Sequence, residues 1–261
     1  MESHDLSCQN TGAILISGAA SGLGLAFLRH YVESDAKLII AIDQNPVPLT
    51  PDLRNPDKIK TFIVNVLDLE SIKSLSKSLG TTSISLMIHC IGVRGLVPSF
   101  IPTHHGDITS METLEVMDRA TMQATFDINC MGALFLIRAL LPNITKFSQE
   151  TGKDVGSIPP RVVVLGSRMG SMGANITGGA YAYRASKAAL NAVIRSLSLD
   201  VREVSFSILH PGRVETQLVP WKEEGAISPS NSVKDCVRLI DGLRLTDSGS
   251  FFDRNGERIS W

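Results

Sequence analysis

Residues 17–24 read SGAASGLG, placing Gly18, Gly22 and Gly24 in a GxxxGxG spacing. An apolar run at 13–17 leads into them, and a helix-forming stretch at 23–34 follows. Glycines let the backbone turn tightly and approach a bound anion, and a helix N-terminus favours the charge of a pyrophosphate. The spacing is not the commoner GxGxxG of dinucleotide-binding turns. Small residues also let a helix pack close to a strand, so the turn alone leaves two explanations open. Asp43 adds weight to the first. It closes the next apolar run, nineteen residues after Gly24, where an acidic side chain can accept from an adenosine ribose. The plainer alternative for Asp43 is a turn carboxylate at a strand end.

Further along, apolar runs alternate with helical stretches. The pattern predicts strands at 13–17, 38–42, 61–65, 85–89, 162–165 and 205–209, with a seventh near 249–252. Predicted helices occupy 23–34, 69–79, 121–141, 183–201 and 232–242. Nearly continuous apolar strands suit a sheet covered on both faces, and the alternation implies parallel strands joined by right-handed crossovers. The expected fold is therefore α/β, a single domain over 1–261. The stretches 98–110 and 149–160 read as loops rather than linkers, and 1–11 as a flexible leader.

Composition narrows the function. Of the 261 residues 43% are apolar, which excludes disorder, and the net charge of −1 offers nothing to nucleic acid or an anionic membrane. The polar N-terminus lacks a signal-peptide pattern, and the longest apolar runs are short for a bilayer span. Cys8, Cys90, Cys130 and Cys236 show no metal spacing. Cys90 and Cys130 lie in apolar segments as small hydrophobes do, so a reducing, cytoplasmic location is expected. His104 and His105 are adjacent in a Pro-containing loop without other ligands nearby, so no metal is expected.

Residues 181–191, YAYRASKAALN, place Tyr183 and Lys187 at i and i+4 on a helix. Neither group alone does acid–base work at neutral pH, but an adjacent ammonium favours a phenolate. Such a pair also arises by chance, as a ring packed inward beside a solvated lysine.

In order along the chain stand GxxxGxG, an NxxG unit (Asn129, Gly132), a serine closing a strand (Ser167) and YxxxK. Together they resemble the short-chain dehydrogenase/reductase family over nearly the whole chain. The stretches SRMGSMGANITGGAYAYRASKAALN, HPGRVET and LIDGLRLTDSGSFFDRNGERISW further resemble the branch of the bacterial C-signal protein and the sniffer-type carbonyl reductases. The resemblance implies a Rossmann-type doubly wound sheet of seven strands, ordered 3-2-1-4-5-6-7, with helices on both faces.

It also implies a role for each residue. Tyr183 would be the general acid or base, and Lys187 would ease its ionisation and hold the nicotinamide ribose. Ser167 would hydrogen-bond the substrate oxygen, and Asn129 would hold a water connecting Lys187 to bulk proton exchange. Their plainer readings are a serine capping the next turn and a polar kink in a helix. Gly18, Ser21, Gly22, Leu23 and Gly24 would cradle the pyrophosphate, and Asn65 and Val66 would lie by the adenine. Gly92 would also contact the cofactor. Pro211, Gly212, Val214 and Thr216 in HPGRVET would contact the carboxamide end. Two departures stand out. The family's NNAG-like unit reads His89-Cys90-Ile91-Gly92, keeping only the glycine, and Asn65 replaces an aspartate. The HCIG change puts the sheet-stabilising and adenine-side polar contacts in question.

The implied function is NAD(P)-dependent hydride transfer between nicotinamide and a carbonyl or secondary alcohol of a small, largely apolar substrate. Two alternatives stand beside it: reduction of an imine or iminium in a biosynthetic pathway, including one that assists a cyclisation, and a cofactor-binding regulator without turnover. Asp43 followed by Gln44, with no arginine, favours NAD(H) over NADP(H). The substrate pocket is expected from 93–99, the loop after Ser167 and 214–227. Leu96, Val97, Phe100, Met169, Met172 and Leu218 would supply its apolar surface and Trp221 a lid. The helices at 121–141 and 183–201, with Leu190, Val193, Ile194 and Leu197 on more than one face, suggest a homodimer or homotetramer.

Overall fold

The computed structural model describes residues 12–51, 53–95, 112–151, 158–218 and 224–261. Seven strands form one sheet: β1 (Ala13–Ser17), β2 (Ile39–Asp43), β3 (Ile59–Ile63), β4 (Ile84–His89), β5 (Arg161–Leu165), β6 (Ser205–His210) and β7 (Ser250–Asp253). Their order is β3-β2-β1-β4-β5-β6-β7, with every neighbouring pair parallel. The chain starts in the middle, winds to one edge and then returns to build the other. Strand order reverses between β1 and β4, which opens a crevice at their carboxyl ends.

Side-chain alternation explains the two-layered core. Leu15, Met87 and Val164 point into one face of the sheet, while Ile16, Ile88 and Val163 point into the other. Helices α2 (Leu69–Leu79), α4 (Gly132–Thr151) and α5 (Tyr181–Asp200) cover the first face through Ile72, Leu136 and Leu190. Helices α1 (Gly22–Tyr31) and α6 (Pro229–Gly242) cover the second through Phe27, Leu28, Val233 and Ile240.

The edge strand β3 begins two residues before the apolar pattern suggested and ends at Ile63, leaving Asn65 beyond it. Its limits follow from pairing with β2, where Ile39 lies opposite Ile59, rather than from apolarity. Lys60, Thr61 and Ile63 are exposed, as an edge allows. Helix α6 starts three residues early, because Ser228 accepts a hydrogen bond from Asn231 N and Pro229 stands in the first turn.

The largest difference concerns 121–141. A short helix α3 (Arg119–Phe126) continues through a π turn, Asp127–Met131, into α4. Helix α4 crosses Pro142 and reaches Thr151, so the start of the expected 149–160 loop is helical. Past the proline, buried Asn143 ties the helix to the carbonyls of Gly80 and Thr82. The run Arg119–Thr151 is long and apolar enough to cross a bilayer, which the short apolar runs had not suggested. Leu136, Ile137, Leu140 and Ile144 are nevertheless packed on the sheet with no exposure, the signature of a core helix. The leader 1–11, the loop 98–110 and the His104–His105 pair lie outside the described residues.

Candidate active site

At the carboxyl ends of the strands lies a cleft of about 390 Å³. One end is the glycine turn. Ser21 is the N-cap of α1, but its side chain makes no capping bond, and no acidic residue occupies the first turn. The free N–H groups and the helix dipole therefore suit an anionic group such as a pyrophosphate. A Cβ at Gly24 would run into the backbone carbonyl of Gly18. Backbone cannot swing aside as a flexible side chain can. Gly24→Ala is expected to destabilise the fold by about 1–3 kcal/mol, the usual range for overpacking, and to weaken cofactor binding. Thermal melting and cofactor titration would check both.

Asp43 lies beside the turn, nearly buried. Its Oδ2 accepts from Ala20 N at 3.0 Å and its Oδ1 from Asn45 N at 2.9 Å. The carboxylate thus also serves as the strand-end turn group that the plainer reading described. Each oxygen retains a further lone pair for a ligand. Asn65 and Val66 line the same wall, as do Leu23, Gly18 and Gly22.

At the other end are Tyr183 and Lys187, both buried on α5. Gly178, Gly179 and Ala180 all have positive φ before this helix, and Ala180, at φ 51, is a non-glycine in the left-handed region. Such a conformation costs about 1–3 kcal/mol and persists only where neighbours hold it. Ala180 N donates to Glu112 O at 2.9 Å, and Arg184 donates to Gly179 O, Met169 O and Thr177 Oγ1. Helix α5 is thereby aimed before its third residue, Tyr183, is reached.

Lys187 Nζ donates to Leu165 O at 2.9 Å and stands 5.9 Å from the Tyr183 ring centroid. Burial lowers its pKa to about 8. It therefore remains mainly an ammonium at neutral pH. Gly92 has a steric reason to be glycine: a Cβ there would come within 3.3 Å of Lys187 Nζ and 3.4 Å of Asn129 Oδ1.

Asn129 sits fully buried in the π turn. Its Oδ1 accepts from Val93 N at 2.7 Å, while Nδ2 donates to Val93 O at 2.9 Å and Ser186 Oγ at 3.0 Å. Both N–H donors are engaged, so a water held by this side chain would find only the second lone pair of Oδ1. Ser167 caps a short 3₁₀ turn, accepting from Met169 N at 3.2 Å. That is the plainer reading realised, and its hydroxyl proton is still available to donate elsewhere.

The altered HCIG unit is accommodated by a different polar link. Ser17 Oγ and His89 Nδ1 lie 2.8 Å apart, and Cys90 N donates to both Ser17 O and Ser17 Oγ. These contacts tie β1 to β4. Burial, reinforced by Lys187, pushes His89 down to about 3, so the ring is neutral at pH 7.

Thirteen of the catalytic and cofactor residues expected from sequence line the cleft, Pro211 and Thr216 among them, as does Leu218 of the expected substrate pocket. Gly212, Val214, Asn129 and Ser167 do not. Val214 is instead in a parallel bridge with Ile227, and Gly212 packs beneath Arg254. Met172 is exposed on the surface. Leu96, Val97, Phe100 and Trp221 lie outside the described residues. Two residues were not singled out from sequence: Arg94, which fell only within the 93–99 stretch expected at the pocket and whose Cζ lies 5.4 Å from the Tyr183 ring centroid, and its ion-pair partner Glu112. No group of metal-ligating side chains occurs among the described residues.

Residues 12–225 match the family model for short chain dehydrogenases. The chain belongs to this family. It is 36% identical over 192 residues to the C-signal protein of Myxococcus xanthus, covering 73% of this chain and all of that protein. Among solved structures it resembles carbonyl reductase Sniffer of D. melanogaster, with a TM-score of 0.83 at 22% identity over 96% of this chain and 100% of the other. It also resembles an NADPH-bound carbonyl reductase from chicken fatty liver, with a TM-score of 0.80 at 24% identity over 96% and 99%. The family assignment makes the chain an oxidoreductase enzyme, working with NAD or NADP.

Proposed function

We propose that the enzyme transfers hydride between a nicotinamide and a carbonyl or secondary alcohol of a small, largely apolar substrate, with Tyr183 as general acid or base. The observation that carries this is one cleft holding an uncapped helix N-terminus at one end and the buried Tyr183–Lys187 pair at the other. The nicotinamide supplies or accepts the hydride when bound. The glycine turn and Asp43 bind the adenosine and pyrophosphate portions. Lys187 keeps a positive charge close to the Tyr183 ring, which favours the phenolate. Tyr183 gives its proton to the substrate oxygen in reduction and takes it back in oxidation. Ser167 donates its hydroxyl to that oxygen. Asn129 fixes Val93, and with it the approach of Gly92 to Lys187. Nicotinamide absorbance followed over a carbonyl panel and an imine panel tests the reading: turnover of carbonyls supports it, and turnover of imines alone overturns it.

The cofactor belongs to the same proposal. A carboxylate and a phosphate about 4 Å apart repel by roughly 1–4 kcal/mol. That equals about tenfold to several-hundredfold discrimination against a 2′-phosphate. The first two basic residues after Asp43 in sequence meet other groups, Arg54 pairing with Glu33 and Lys58 donating to Ser34 O. Among the described residues lining the cleft, Lys187 is the one basic side chain. These observations support NAD(H), although the similar chicken reductase holds NADPH. Asp43→Ala is expected to shift preference toward NADP by about ten- to a hundredfold. Wild-type titration with tighter NADPH than NADH would refute the assignment. Homodimer or homotetramer formation through α4 and α5 is part of the proposal as well. Exposed Leu199 and half-buried Phe135 are apolar residues that such contact would cover, and sedimentation would test it.

A further inference from the structure

We propose that Arg94 and Glu112 are a positioning pair that sets the ionisation of Tyr183, with Arg94 easing loss of the phenolic proton and Glu112 restraining that effect. The inference rests on the acid–base role of Tyr183 proposed above.

The pair is built in rather than placed on the surface. Arg94 Nε lies 2.9 Å from Glu112 Oε1 and Nη2 lies 2.8 Å from Oε2, a two-pronged fork. The side chains are only 14% and 6% exposed. Both ends are tied to the catalytic region by backbone. Arg94 follows Val93, whose N–H and carbonyl are both held by Asn129. Glu112 O accepts from Ala180 N, three residues before Tyr183 on the chain. Burying an ion pair seldom gains stability over apolar residues of the same volume. Its place against a functional ring points to an electrostatic role instead.

The guanidinium lies over the face of the Tyr183 ring, where a cation is attracted to the π electrons. That attraction strengthens when the ring carries a phenolate, and burial limits solvent screening. Lys187 does similar work from the same helix, but burial brings its deprotonation down to about pH 8. A guanidinium keeps its charge throughout. Arg94 therefore maintains a cation beside the ring in the alkaline range where Lys187 loses its own.

Among the described residues, the other ionisable groups near the site are neutral or turned toward other partners. His89 at the end of β4, Cys90 after it and Cys130 in the π turn are held neutral by burial. Arg184, on α5 itself, is turned toward Gly179, Met169 and Thr177. Asp127 accepts from Gln123, and Arg168 pairs with Asp253.

The test is the pH dependence of kcat/KM for oxidation of a secondary alcohol, whose acid limb reports protonation of Tyr183. Arg94→Gln is expected to move that limb up by about one pH unit and Glu112→Gln to move it down. Arg94→Lys keeps the charge and leaves the limb near its wild-type position. Each single glutamine variant breaks the buried ion pair by removing one of its two charges and is liable to unfold. The double variant Arg94→Gln/Glu112→Gln avoids this, and its limb is expected above wild type but by less than with Arg94→Gln alone. A purely structural pair would lower activity at every pH without moving the limb. An unmoved limb in the double variant, or the same direction of shift in both single variants, overturns the proposal. Ultraviolet titration of tyrosinate, taken as the difference from Tyr183→Phe, reads the same shift without turnover. A shift there in a protein that turns over no carbonyl or alcohol sinks only the proposed acid–base role of Tyr183, and its absence in an active one sinks only the role of the pair.

Discussion

Tyr183→Phe is expected to lower kcat by about 10²–10⁴, the range general acid–base catalysis supplies, with cofactor affinity close to wild type. The substitution removes only the hydroxyl. The ring stays in its buried place on α5, with the Arg94 guanidinium over it and Lys187 Nζ 5.9 Å from its centroid. Lys187→Ala behaves differently because that side chain has two duties. Its Nζ carries the charge beside Tyr183 and reaches Leu165 O past Gly92 on the cleft wall. Loss of the lysine is expected to reduce kcat and to weaken cofactor binding together. Steady-state kinetics with separate cofactor titrations distinguish the two variants. A Tyr183→Phe enzyme that kept most of its rate would assign the proton to another group or to water.

The sequence made some of this legible and left the rest hidden, for physical reasons. Central strands such as β1 and β5 were readable because burial on both faces demands an unbroken apolar run. The edge strand β3 was misplaced by two residues because pairing with β2, not burial, decides its ends. The continuation of α4 across Pro142 lay beyond the helix expected at 121–141: a proline disfavours a helix interior, and packing of Leu140, Ile144 and Phe147 holds the helix together past it. At the site, Tyr183 and Lys187 were legible since i and i+4 spacing is itself a geometric statement. Arg94 and Glu112 were not, because they meet across eighteen residues of chain through tertiary packing alone. His89 likewise looked like the loss of a polar contact. Only the sheet register, which sets Ser17 beside His89, showed the contact to have been rebuilt.

That rebuilt contact has a consequence for stability in acid. His89 is held down to about 3 and His210 to about 4, each chiefly by burial, against an ordinary value of 6.5. In His210 the neighbouring Arg168 adds to the effect and Asp253 opposes it. Below pH 6.5 the unfolded chain takes up a proton at each histidine while the folded protein does not. Protonation therefore pulls toward the unfolded state, and stability falls as pH drops from about 6.5 to about 4. Each ring contributes a slope of about 1.4 kcal/mol per pH unit inside that window. Two such slopes remove about 7 kcal/mol between pH 6.5 and 4, a large share of a typical total of about 5–15 kcal/mol. Asp118 and Glu115, whose carboxyls are lowered by hydrogen bonds, lose their own contribution only at still lower pH. His89→Asn removes one titrating ring and keeps a polar partner for Ser17, so it is expected to flatten the slope by about half. Urea unfolding at successive pH values between 4 and 7 measures this directly. A wild-type stability that stayed constant across that interval would mean both rings gain protons without unfolding, and hence that solvent reaches them.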